Sequence, residues 1–486
     1  MTDHVKEMSL RCAERNETVE ECRKLGNITL DEFLQLQADK VIKNSKLSPL
    51  VSPDDFYGST AEYVEKRLGR EAGREADEAV RCGVISTSDH HGSLFCAQTF
   101  QGDLLFGELL RKLGYTGRHV TIHGGSQVEL GNVTYARGFC TYTSAAEKHQ
   151  VPLFPSKDRQ RLSSHAQAVS PEMIQLLFSH LDESDEPEFV KDSIGSICTK
   201  LWVDTGIPES GRYADQTVTA GAKLSSLLFS GGDWPILTYI ELEELAAEII
   251  KKELRDSNSL LSHLIFDPKN RAYMQSAATG GGVSSAGLLF RNVDERGRKS
   301  LLTLTENGEL TGRGWHGEEL KYSANADTLC TLLDERHIFP GLFVIALVLA
   351  FERGITWMGG MFQSCYLPKW QNGLVKLLIE CGYKSEAGNF SLYDCSGYIC
   401  GPMFAQYEGE SFATVAGPLE FYMNRPNWDK LRDMMLGTGL WDAHQIGLTE
   451  MYFDLFGPVE REEDWYRKIT TELYGRFPNA LPKGNK

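Results

Sequence analysis

Gly83-Val84-Ile85-Ser86-Thr87-Ser88-Asp89-His90-His91-Gly92-Ser93 is the stretch from which the chain is read. Its first part, Gly83 to Thr87, is a short run with β-branched and apolar residues that reads as a strand. The rest is a polar loop carrying one carboxylate, two imidazoles and a flexible glycine. Outward from it, Gly102 to Leu113 reads as a helix and Arg118 to Ile122 as a second strand, followed at once by His123-Gly124-Gly125. Val151-Pro152-Leu153-Phe154-Pro155 is a third short extended piece, and Ser170-Pro171-Glu172 opens a helix with proline where helix starts allow it. Strand, polar loop, helix, strand, polar loop is the order of a mostly parallel sheet, and a mixed α/β fold is expected.

The flanking segments extend that reading. Thr29 to Asn44 carries apolar residues at Leu30, Phe33, Leu34, Leu36, Val41 and Ile42, close to the helical period, and Ser59 to Arg81 reads as a second helix. Residues 206–277 look mainly helical, with Trp234 to Ile240 leading into an amphipathic surface helix over Glu241 to Leu254. Ala286 to Phe290, Asn292 to Arg298 and Ser300 to Thr305, with the Asn307-Gly308 turn, predict an antiparallel β meander of three strands. At 486 residues the chain is too long for one typical core. The expected division is a helical N-terminal region over 1–82, an α/β domain over 83–277 and a mixed α+β domain with the meander insertion over 278–486.

Charge and cysteine usage narrow the class. A formal net charge of −17 disfavours a general nucleic-acid binder and an anionic membrane surface, while leaving room for a local basic pocket. The eleven cysteines are scattered, odd in number and without a C-x-x-C, so a disulfide framework is not expected. The first residues lack the basic and apolar regions of a signal peptide. The longest apolar run, Phe339 to Phe351, is interrupted by Pro340 and Gly341 and is shorter than the roughly 20 residues a membrane span needs. A cytoplasmic protein with a small-molecule substrate, no nucleic-acid partner and no membrane partner is the expectation, and a homo-oligomer is compatible with it.

Chemistry is sought first at the strand ends. Asp89, His90 and His91 combine a carboxylate with two imidazoles, the usual acid–base group at neutral pH and the commonest metal ligand. Adjacent side chains in an extended strand point to opposite faces, so this trio by itself does not make a metal centre, which needs three or four converging ligands. His123, at the end of the next strand, is the expected third imidazole. His90, His91 and His123 are therefore candidate ligands for a divalent metal, zinc or iron, or else metal-free acid–base groups. Asp89 would orient an imidazole and Glu129 would act as a base. Gly124 and Gly125 let a ligand approach the backbone closely, and Arg137 is placed to clamp a carboxylate or phosphate. Lys157 and Arg159 form a small basic pair in an acidic chain. For each of these the bland alternative is a hydrogen-bonded structural group or a solvated loop.

Two further stretches bear on function. Gly280-Gly281-Gly282 resembles a phosphate-cradling loop in composition, but it lacks the Walker pattern and precedes a hairpin instead of a helix. Gly359-Gly360-Met361-Phe362-Gln363-Ser364-Cys365-Tyr366 sets a Gly-Gly break beside aromatics, an amide and a thiol, a composition suited to walling a small-molecule pocket. Cys365 has no local base to activate it. The expected function is an enzyme acting on a small polar or anionic metabolite by metal- or histidine-assisted lyase or hydrolase chemistry. The alternatives are a group-transfer enzyme, kinase or ligase, holding phosphates at Gly280–Gly282, and a non-catalytic binding or scaffold protein.

Overall fold

The computed structural model describes residues 3–88, 96–132, 137–204, 211–279 and 289–481. A five-stranded parallel sheet runs through the centre: β1 (Val84–Ser86), β2 (His119–Gly124), β3 (Ile236–Glu241), β4 (Thr356–Gly360) and β5 (Tyr398–Cys400), in spatial order β5-β4-β1-β2-β3. Nearly every strand residue is buried, as a parallel sheet covered on both faces requires. Alternate residues feed two cores. Val84, Val120, Ile122, Leu237 and Met358 join one with α1 (Leu30–Asn44) and α4 (Ala97–Lys112). Ile85, Ile240 and Trp357 join the other with α2 (Asp54–Leu68), α3 (Arg70–Val80), α5 (Leu242–Arg255) and α6 (Gln363–Cys381). The structure thus has the mixed α/β fold with a parallel sheet that the strand–loop–helix order predicts.

Helix α4 is buried at every position from Ala97 to Leu110, the mark of a central helix. It approaches the sheet so closely that a Cβ on Gly102 would lie 3.0 Å from the Cβ of Cys400 in β5, so a side chain there would push the helix off the strand. Gln101 of the same helix ties down the segment after β5. Its amide nitrogen donates to the carbonyls of Ala405 and Ala416, and its oxygen accepts from the amides of Phe404 and Ala405.

Several expectations are corrected. The helix read over Ser59 to Arg81 is two helices, broken at Gly69, whose φ of +89° is a conformation that favours glycine. The extended piece at Val151 is not a strand of the main sheet; His149–Pro152 pairs with Gly138–Thr141 in a separate two-stranded ribbon. The third parallel strand is instead β3, within the region read as mainly helical. A short continuous apolar run has no period that separates a buried strand from a buried helix. The meander has four consecutive strands, Phe290–Val293, Lys299–Leu304, Glu309–Arg313 and Glu319–Ser323, with Ile338–Pro340 added at its edge. The boundary drawn at 277/278 runs through one hydrogen-bonded sheet, because β1, β2 and β3 precede it and β4 and β5 follow it. Helices α1, α2 and α3, before residue 82, pack onto the two faces of that sheet, while Val5 to Val19 join a separate core with Leu448 to Leu473. The apolar run from Phe343 to Phe351 is a buried helix that ends in a π-helical turn, and among the described residues no helix is long and apolar enough to cross a membrane.

One buried cation joins the elements behind the sheet. Arg353 is 3 % exposed. Its guanidinium donates to both carboxylate oxygens of Asp55 (2.9 and 2.8 Å), to Glu253 Oε1 (2.7 Å) and to the carbonyl of Val348 (2.9 Å). Removing a partner from such a network leaves carboxylates buried and uncompensated. Arg353→Met is expected to lower the unfolding free energy by roughly 3–5 kcal/mol, read as a drop in the urea midpoint; a change below ~1 kcal/mol would show that the network carries little stability.

Candidate functional site

Parallel strands leave all their carboxyl ends on one edge. The order β5-β4-β1-β2-β3 reverses direction between β1 and β4, the place where open α/β sheets part their loops and leave a crevice. A cavity of about 330 Å³ lies there. Every strand of the sheet delivers residues to it: Thr87 and Ser88 after β1, Gly125 after β2, Leu242 after β3, Gly360 and Met361 at β4, and Cys400 at β5. Phe362, Tyr366 and Leu342 supply apolar wall, while Gln98, Asn132, Gln363 and Asp454 supply polar lining.

The β1–β4 junction fixes the crevice floor. The two strands run in register from Val84 opposite Thr356 to Ser86 opposite Met358, and the amide of Thr87 continues the ladder to the carbonyl of Met358 at 3.0 Å. The Thr87 hydroxyl donates to Gln363 Oε1 at 2.9 Å, which sets the orientation of that carboxamide. The carboxamide lies over Gly359, where a Cβ would come within 2.3 Å of it. Behind Ser88 stands Asp103 of α4, wholly buried. The hydroxyl of Tyr239 donates to one of its oxygens at 3.0 Å, and Ser88 Oγ, itself 3.1 Å from Ser86 Oγ, lies 3.5 Å from the other. A crevice-lining hydroxyl is thereby backed by a carboxylate, an arrangement able to accept a proton from a bound molecule.

An ion-pair network lies at the end of β3. Three guanidiniums, Arg67, Arg212 and Arg336, alternate with three carboxylates, Asp215, Glu241 and Glu244. Ser126 Oγ lies within hydrogen-bond distance of both Glu241 (3.0 Å) and Glu243 (2.8 Å), with one O–H to share between them, and so ties the loop after β2 to the end of β3. These groups pair mainly with one another, and none of them is among the residues that line the crevice. On the opposite side, Lys148 and Glu450 form a buried ion pair at 2.9 Å beneath the helix Leu448–Leu455 that carries Asp454.

The residues singled out in the sequence separate into distinct places. Asp89, His90, His91 and the Gly280–Gly282 loop lie outside the described residues. The strands leading to His90 and His123 are neighbours, with Ser86 paired to Ile122. His123 nevertheless does not line the crevice. Its ring is wholly buried, 5.4 Å from that of Phe56, and neither nitrogen has a hydrogen-bond partner. It lies on the α2 side of the sheet, because successive residues of β2 alternate faces. Gly124 closes the β2–β3 ladder opposite Glu241, and Gly125 lines the crevice. Glu129, Lys157 and Arg159 meet at a separate surface cavity of about 420 Å³. There Glu129 also pairs with Lys299 at 3.3 Å. Arg137 spends one N–H on the carbonyl of Phe154 at 2.9 Å. Cys365 sits against the Met361 carbonyl and the Thr18 hydroxyl, with no base among its described partners. Among the described residues no group of three or more His, Cys, Asp or Glu converges as a metal shell would. The Gly359–Tyr366 stretch reaches the crevice through Gly360, Met361, Phe362, Gln363 and Tyr366.

Asp103 and Tyr239 had no place in the motif reading. The signal for Asp103 was present, since it is a carboxylate inside Phe100 to Leu110, a helix otherwise apolar on most faces. No known protein family, curated protein or solved structure matches the chain.

Burial pushes the pKa of His123 from 6.5 down to about 3. The unfolded chain takes up the proton first, so stability from the neutral ring is intact above pH 6.5 and is lost as pH falls toward 3. Between pH 7 and pH 5 this single group removes roughly 2 kcal/mol. His123→Leu is expected to flatten the fall of the urea midpoint over that interval; parallel pH profiles for the two proteins would contradict the burial account.

Proposed function

We propose that this protein is an enzyme that binds a small polar or anionic metabolite in the strand-end crevice and acts on it by proton-transfer chemistry of the lyase or hydrolase type. The observation that carries this reading is the convergence of all five parallel strands on one cavity of about 330 Å³ at the point where the strand order reverses. The lining suits a small ligand: apolar side chains on one side, and amides, hydroxyls and a carboxylate on the other. Ser88, with Asp103 and Tyr239 behind it, supplies the hydroxyl–carboxylate pair for moving a proton. The metal-assisted version of this chemistry is carried by His90 and His91, which lie outside the described residues; its direct measure is the metal content of untagged protein.

Gly360 gives the means to close the crevice. It lines the cavity, and the nearest atom to a Cβ built on it is the Cys400 carbonyl oxygen at 3.9 Å, so the backbone there accepts a side chain. With a panel of organic acids, phosphorylated metabolites, polyols and amides, at least one compound is expected to raise the thermal midpoint of the wild type and not that of Gly360→Phe. A panel in which every stabilising compound acts equally on both proteins would sink the proposal.

A further inference from the structure

Two glutamines one turn apart on α4 meet different surroundings. Gln101 is fully used, with its amide nitrogen and oxygen on four main-chain contacts. Gln98 lines the crevice and is 6 % exposed. Its side-chain amide makes no hydrogen bond with any residue of the structure. Neither its oxygen nor its nitrogen is among the unpartnered polar atoms sealed inside the protein, whereas Gln363 Nε2 is. The small part of Gln98 left open is therefore at the cavity it lines, and its amide is the polar group there with both its donor and its acceptor unused.

The backbone beneath this amide is fixed. Cys400 Sγ of β5 lies 3.5 Å from the Gln98 carbonyl, and the amide of Ala97 donates to the Tyr142 hydroxyl at 3.0 Å. A carboxamide held in this way presents an N–H and a C=O side by side. Its complement is a group that carries one acceptor and one donor at the same spacing, as another amide does. A carboxylate offers acceptors alone and would set an oxygen against the Gln98 oxygen. The rest of the lining agrees with a neutral ligand, since none of the described residues around the crevice is an arginine, a lysine or a histidine. Phe362, in the same lining, is 48 % exposed and offers a ring face to a planar molecule.

We propose that Gln98 is the specificity-determining residue of the crevice and that it pairs with an uncharged amide group of the ligand, so that the site takes amides in preference to the corresponding acids. The inference rests on the reading of the crevice as the ligand site and narrows its substrate class. A site built to satisfy both halves of an amide rejects an analogue that supplies only one of them, because a buried group of the protein is then left unpaired.

The test compares two amide and acid pairs, nicotinamide with nicotinate and malonamide with malonate, each at about 20 mM and equal ionic strength. At least one amide is expected to raise the wild-type thermal midpoint by about 1–3 °C, with its acid giving no rise. Gln98→Met keeps the length of the side chain and removes the amide, and is expected to abolish the shift. Gln98→Asn keeps the amide but withdraws it by one methylene; it is expected to give the same loss and covers the case in which the first variant folds poorly. No rise with either amide in the wild type, equal rises with amide and acid, or rises unchanged in the Gln98 variants would each overturn the proposal. An amide that stabilises the wild type and both Gln98 variants alike but not Gly360→Phe would overturn the role of Gln98 while leaving the crevice as the ligand site. One that stabilises Gly360→Phe as well binds elsewhere and would overturn both.

Discussion

The backbone ladder between β1 and β4 is the constraint on which the rest of this structure depends. Parallel strands cannot be joined by tight turns; each pair needs a crossover, and the crossovers here are helices and larger insertions packed on the two faces. The same parallelism gathers all five carboxyl ends at one edge. Because β4 joins β1 on the side away from β2, the strand order reverses there, the place where open α/β sheets leave a crevice. The cavity, the start of α6 and the Thr87–Gln363 hydrogen bond all follow from that one pairing.

Polar groups buried around this sheet are, for the most part, tied to one another. Arg353 binds Asp55, Glu253 and a main-chain carbonyl; Arg67, Arg212 and Arg336 share Asp215, Glu241 and Glu244; Lys148 meets Glu450. Such networks are expensive to desolvate and are sustained only when nearly every donor and acceptor is met. His123 and His444 meet burial differently: both rings are wholly buried and unpartnered, and burial holds their pKa values down, at about 3 and about 4. An imidazole can evade the cost by remaining neutral.

Local pattern made much of the sheet legible. The β-branched run at Val84-Ile85 and the run at Val120 to Ile122 read as strands because neighbouring residues there choose an extended backbone whatever surrounds them. The Asn307-Gly308 turn is equally local, and it marks the meander. Ile236 to Glu241 was not legible as a strand, since a buried parallel strand presents apolar residues to both faces and so loses the alternation by which strands are recognised. His123 shows the same limit at the candidate site. A histidine at a strand end reads as a ligand, yet whether its ring faces the loop edge or a helix depends on the parity of β2, which is set by register with its neighbours.

By itself the sequence determined the fold class, the positions of β1 and β2, and the kind of residue found where the strands end, because these rest on backbone preference and on solubility of nearby side chains. It also marked Gly359 to Tyr366 as suited to a pocket wall, since a Gly-Gly break beside aromatics and an amide is visible without coordinates. Only the tertiary structure decided that β4, some 270 residues after β1, pairs with it (Val84 opposite Thr356). That pairing brings Thr87 to Gln363 and sets Asp103 behind Ser88. Contacts between residues so far apart in the chain are chosen by burial of the whole sheet, a cooperative quantity that no local run of residues encodes.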